Sequence, residues 1–152
     1  MSAPTLYWED FKAGEVLELG THTFTAAEII AFATMYDPQP IHIDPAAAQA
    51  SFFGGLIASG WHTCAIGMRF AVVAYINSGV SLGSPGVDNI RWPKPVRPGD
   101  TITYRRITLA ARASQSRPGV GLMQARIEAL NQNGEIVMTN EGWGMFGRRP
   151  AN

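Results

Sequence analysis

"SGWHTCAIGMRFAVVAYINSG", residues 59–79, decides the fold. A serine and a glycine able to cap a helix stand at its start, a glycine stands just past its end, and no proline lies between. The stretch therefore predicts a helix of about five turns over residues 60–77. Its residues are apolar nearly all round, which predicts a buried rod rather than a surface helix with one wet face. Such a rod needs other elements to surround it.

The chain on either side supplies them. Downstream the texture becomes alternating and rich in turns. GVDNIRWPKPV (86–96) reads as a strand interrupted by Pro93 and Pro95, RPGD (97–100) as a tight turn, and TITYRRITLAAR as the next strand. After the loop ASQSRPG, the segment GLMQARIEAL sets Met123, Ala125, Ile127 and Ala129 on one face and Gln124, Arg126 and Glu128 on the other. QNGE predicts a two-residue Asn-Gly hairpin leading into a last strand, IVMTNEGWGMFG. Upstream, EVLELGTHTF (15–24) reads as the first strand, and TAAE as a capping box opening a short helix over 26–35. Pro38 ends that helix, and Asp44-Pro45 starts another. The order is one strand, small helices, a long buried helix, then about four antiparallel strands. It predicts an α+β fold, an antiparallel β-sheet wrapped around a long central α-helix. At 152 residues the chain fits a single domain over 1–152.

Twelve Lys and Arg balance twelve Asp and Glu, so no net field draws nucleic acid or anionic lipid, and neither is an expected partner. Cys64 is the sole cysteine, which excludes an internal disulfide and suits a reducing, cytoplasmic compartment. The N-terminus lacks a basic segment followed by an apolar run, and the most apolar segment, 60–76, is interrupted by His62, Thr63 and Arg69; a soluble protein is expected. One cysteine and three scattered histidines predict no metal, and the glycines of GVGLMQ lack the context of a dinucleotide loop, so no cofactor is expected. Charged residues make up 16%, below the roughly 25% typical of soluble domains. Apolar surface left over predicts a homodimer or higher homo-oligomer.

One further stretch concentrates chemistry. YDPQPIHIDP (36–45) sets a carboxylate, Asp37, and an imidazole, His42, among three prolines; Pro38 and Pro40 are expected to hold the loop extended. Asp44 reads as a helix cap. Residues 37–44, Asp37-Pro38-Gln39-Pro40-Ile41-His42-Ile43-Asp44, resemble the hydratase motif of the MaoC-like dehydratases and (R)-specific enoyl-CoA hydratases, a family with the hot-dog fold. GGLIASGWHTCAIGMRF and VDNIRWPKPVRPGDTI are similar to two later blocks of that family, in the same order. Gln39 stands where the family usually has Asn, and Ser59 where many members have His.

The resemblance implies a trans-2-enoyl acyl-CoA thioester as substrate and addition of water to give a 3-hydroxyacyl thioester. It implies Asp37 and His42 as the catalytic pair around that water, and the Gly60 N–H, at the start of the long helix, as the oxyanion donor. An imidazole ordinarily titrates nearer neutrality than a carboxylate at about 3.9, so His42 is the expected proton carrier, although the division of roles stays open. Coenzyme A and acyl carrier protein both remain as carriers. Two other readings stand beside hydration: a hot-dog thioesterase, for which residues 60–78 offer no Asp or Glu, and a non-catalytic acyl-thioester binding subunit. His62 reads as a buried, hydrogen-bonded histidine. Met35, Phe52, Phe53 and Trp61 read as core or acyl-pocket lining, and Arg91, Lys94, Arg97 and Arg117 as solvated charges.

Overall fold

Thr25 is where strand gives way to helix. Its hydroxyl accepts from the Glu28 N–H at 3.2 Å, while the Glu28 carboxylate accepts from the Thr25 N–H at 2.7 Å, the reciprocal box read from TAAE. In the computed structural model, which describes residues 5–152, strand β1 (Val16–Thr23) precedes it and helix α1 (Ala26–Tyr36) follows. Two short helices, α2 (Pro40–Ile43) and α3 (Pro45–Gln49), lead to the long helix α4 (Gly60–Ala71). Strands β2 (Gly86–Arg91), β3 (Thr101–Ala113), β4 (Val120–Leu130) and β5 (Ile136–Gly147) complete the chain.

The five strands form one sheet in the order β1-β3-β4-β5-β2, with every neighbouring pair antiparallel. Helix α4 packs against β1, β3, β4 and β5, so the sheet curls around it as the sequence implies; this is the hot-dog arrangement. The core between them joins Ile66 of α4 to Ile102, Tyr104, Ala129, Val137 and Met138 of the sheet, closed at one end by Phe24 and Ile29. Each large apolar side chain buried there contributes about 1.5–3 kcal/mol. The Tyr104 hydroxyl donates to the Thr63 carbonyl at 2.8 Å. At Gly67 an added Cβ would lie 3.0 Å from the Tyr104 ring, so the rod approaches the sheet this closely only with glycine there.

Five expectations need correction. The rod reaches its expected length, but α4 gives way to a π-helical turn, Val72–Ile76. It is not buried all round: His62, Thr63, Ile66, Gly67 and Ala71 are covered, whereas Trp61, Met68 and Val73 are exposed, because the sheet and α1 enclose only part of its circumference. Glu128, placed by alternation on the polar face, is buried, with Arg126 of its own strand and Arg105 of the neighbouring one paired to it. The Asn-Gly turn is longer than two residues: Asn131 N–H donates to the Glu135 carbonyl, and Gly134, at φ +74°, takes the left-handed position of a three-residue loop. Finally, Pro40 does not extend the loop but occupies the first position of α2, where its missing N–H costs nothing.

Candidate active site

Asp37 and His42 meet where three helix ends converge. Asp37 is the C-cap of α1, its N–H donating to the Ala33 carbonyl at 2.8 Å, and Pro38 behind it prevents another helical residue. His42 lies in the single turn of α2 and is buried at 5% exposure. Its Nδ1 lies 2.7 Å from the Ile57 carbonyl oxygen. A carbonyl only accepts, so Nδ1 carries the hydrogen and Nε2 is the exchangeable position. That Nε2 faces Asp37 Oδ2 at 3.3 Å.

The carboxylate of Asp37 is held from two further sides. Gln39 Nε2 donates to Oδ1 at 2.8 Å, and Ser59 Oγ donates to Oδ2 at 2.7 Å. Burial alone pushes the Asp37 carboxyl up, but the bonds from Gln39 and Ser59 and the adjacent His42 outweigh it, leaving the pKa below its ordinary value. Asp37 is therefore an anion near neutrality, and all its bonds are accepted ones.

Ser59 is the N-cap of α4, accepting from the Trp61 N–H at 3.2 Å. The next residue, Gly60, has an N–H that makes no hydrogen bond to any described residue. Gly60 and His42 line one cavity of about 550 Å³, together with Ile57, Thr63, Trp92 and Val137. The Trp92 indole lies against the Gly60 Cα, donates Nε1–H to the Gly60 carbonyl at 3.0 Å, and would sit 2.4 Å from any Cβ added there. Phe52, Phe53, Lys94 and Arg97 also border the cavity; Arg97 donates to the Phe53 carbonyl at 2.8 Å, and Lys94 pairs with Glu135. A second cavity, of about 310 Å³, runs along the later turns of the rod between Cys64, Gly67, Met68 and Tyr75 and the sheet residues Met123 and Trp143.

The structure thus brings Asp37, His42 and Gly60 into one neighbourhood. Asp44 caps α3, accepting from the Ala46 and Ala47 N–H groups at 3.0 and 3.2 Å. His62 stays apart from the pair: it stacks on Phe32, burial lowers its pKa, and Nδ1 has no hydrogen-bond partner, contrary to expectation. Met35 and Trp61 are exposed and line neither cavity, while Phe52 and Phe53 do border the larger one. Sequence reasoning placed Ser59 as a helix cap, as found, but missed its bond to Asp37 and the roles of Gln39 and Trp92. Gln39 was visible only as a departure from a motif, and its longer side chain still reaches the carboxylate. Among the described residues no helix is long and apolar enough to cross a membrane.

With this geometry in place, comparison with known proteins assigns the class. The MaoC like domain matches residues 10–127, and the chain belongs to that family of dehydratases. It is 40% identical to the MaoC-like dehydratase from Rhodospirillum rubrum, whose crystal structure it matches with a TM-score of 0.87 over 96% of this chain and 99% of that one. It is 35% identical over 112 residues to 3-hydroxyacyl-thioester dehydratase Z of Mycobacterium tuberculosis, covering 69% of this chain and 68% of that protein. Protein MaoC of Klebsiella aerogenes is 32% identical over 102 residues, 65% of this chain, and the match spans 29% of that protein's length.

Proposed function

We propose that this chain catalyses the reversible hydration of trans-2-enoyl-CoA to 3-hydroxyacyl-CoA, acting as an enoyl-CoA hydratase and, in reverse, a 3-hydroxyacyl-CoA dehydratase. The observation that carries this reading is the 3.3 Å gap between His42 Nε2 and Asp37 Oδ2, with Nδ1 committed to the Ile57 carbonyl. A water at ordinary hydrogen-bond distance of about 2.8 Å from each can donate one hydrogen to Nε2 and one to Oδ2. Both its hydrogens are then engaged, and a lone pair points outward toward a substrate carbon.

The reaction follows from that arrangement. The water oxygen bonds to the β-carbon, the carbon–carbon π pair shifts toward the α-carbon, and negative charge develops on the thioester oxygen. The Gly60 N–H, at the positive end of α4, donates to that oxygen and stabilises its charge without reorganising. His42 Nε2 takes the proton released by the water, Asp37 stabilises the imidazolium, and the same proton passes to the α-carbon. The enzyme returns to its starting state, and the reverse sequence dehydrates the 3-hydroxyacyl thioester.

The exposed Trp61 and Met68 of α4 and Val73 of the π-helical turn lie on the same molecule as an edge strand, β2, that is paired on one side only, and both favour assembly as at least a homodimer of single-domain chains. Purified protein mixed with crotonyl-CoA tests the reading. The enoyl absorbance is expected to fall, and His42→Ala or Asp37→Asn to slow that fall by about 100- to 10,000-fold. Wild-type protein inert toward enoyl-CoAs of every length, or releasing free thiol from saturated acyl-CoA instead, refutes it.

A further inference from the structure

We infer that Ser59 is a positioning residue for this reaction, holding Asp37 as the ionised acceptor of the water site and tying it to the tip of α4. The inference rests on the hydratase reading above. Ser59 is fully buried, at 0% exposure. A hydroxyl has one hydrogen and two lone pairs. Here the hydrogen goes to Asp37 Oδ2 at 2.7 Å, and one lone pair accepts the Trp61 N–H at 3.2 Å. One side chain therefore joins the end of α1, which carries the acid, to the start of α4, which carries the free Gly60 N–H.

Two consequences follow. Gln39 already occupies Oδ1, so with Ser59 on Oδ2 the open direction on that oxygen faces His42 Nε2, 3.3 Å away. Donors on both oxygens favour the ionised carboxylate, which keeps Asp37 an acceptor toward the water site. The second consequence is spatial. The attacking water and the oxyanion donor belong to separate segments, and a misplacement of about 1 Å between them costs about 100-fold in rate. The Ser59 hydroxyl fixes that spacing.

Ser59→Gly separates this role from plain capping, because glycine at an N-cap loses little helix stability whereas the hydroxyl donor is gone. Ser59→Ala, also close in size, is the second variant. With crotonyl-CoA, both are expected to lose about 10- to 100-fold in kcat, the range of a charge-assisted hydrogen bond, with KM moving far less. The acid limb of kcat/KM is expected to move to higher pH, since Asp37 loses a bond that favours its ionised form. A helix cap alone would shift melting and leave that limb in place, so an unmoved limb with near wild-type kcat overturns the inference. An NMR titration of the Asp37 carboxyl carbon decides it without turnover. A higher midpoint in Ser59→Gly than in wild type supports it, and coincident midpoints overturn it even if the wild type proves inert and the hydratase reading falls.

Discussion

Gly60→Ala is the most informative single change at the helix tip. The new methyl would lie 2.4 Å from one indole carbon of Trp92 and 2.7 Å from Nε1, far inside contact distance. The indole must move, and its 3.0 Å bond to the Gly60 carbonyl goes with it. Losing that bond costs about 1 kcal/mol. An off-rotamer indole adds about 0.5–1.5 kcal/mol. Alanine's helix propensity returns up to about 1 kcal/mol. The balance is a destabilisation of about 0.5–1.5 kcal/mol, or a melting temperature lower by about 1–6 °C. Activity is expected to fall further, by about 100-fold in kcat: the backbone N–H is kept, but relieving the clash with Trp92 displaces the helix tip that aims it, and a misplacement of about 1 Å has that effect.

The double variant Gly60→Ala, Trp92→Ala tests whether the clash with the indole causes both effects. With the indole removed, adding the methyl no longer destabilises, so the two changes are non-additive in melting temperature. The rate defect relative to Trp92→Ala alone is expected to shrink as well, since the helix tip need no longer move. Calorimetry on the four proteins gives the first quantity, and the enoyl absorbance assay the second. Wild-type turnover by a destabilised Gly60→Ala would refute the claim that the position of the helix tip sets the rate. An equal loss of melting temperature with and without Trp92 would refute the packing account.

Two other expectations bear on charge and assembly. The pKa of Asp37 is lowered in the folded protein, so its ionised form contributes stability above the unfolded value of about 3.9, and that contribution is lost as pH falls through the folded value; Asp37→Asn should melt below wild type near neutrality, with the difference closing in acid, and a gap that widens below pH 4 counts against the hydrogen bonds described. Light scattering should give at least a dimer for the wild type, and Val73→Glu, on the exposed side of the rod, should shift it toward monomer; an unchanged mass would move the interface elsewhere.

Local features of the fold were legible wherever one residue type has few alternatives. Thr25 and Glu28, three apart before an apolar run, set the start of α1, and Asp44 before Pro45 set the start of α3. Where two outcomes share the same local chemistry, the sequence was silent. A proline allows both an extended segment and the first position of a helix, and at Pro40 the bond from the His42 N–H to the Gln39 carbonyl selects the turn. The Asn-Gly pair suits a two-residue hairpin, yet the Asn131 side chain accepts from the N–H groups of Asn133 and Glu135 and lengthens the loop. Glu128 alternates like a surface residue; Arg126 shares its strand and face, but Arg105, opposite it on β3, covers it only through strand pairing. In the site, Asp37 and His42 were readable as a motif. Their hold by Ser59 was not, because that contact joins residues brought together only when α1 and α4 pack.

The three prolines around the pair now have a more specific explanation than stiffness. Pro38 ends α1 immediately after Asp37, Pro40 begins α2 two residues before His42, and Pro45 begins α3 immediately after the capping Asp44. Each occupies a helix boundary, where an absent N–H leaves no broken bond and a fixed φ narrows the unfolded ensemble. The chain between 36 and 49 is consequently a succession of short helices rather than a loop, and the acid and the base each belong to a helical terminus or turn. A side chain so anchored loses little further freedom when a water or a thioester arrives. Preorganisation of this kind is what a low-basicity carboxylate needs in order to contribute by position instead of by proton affinity.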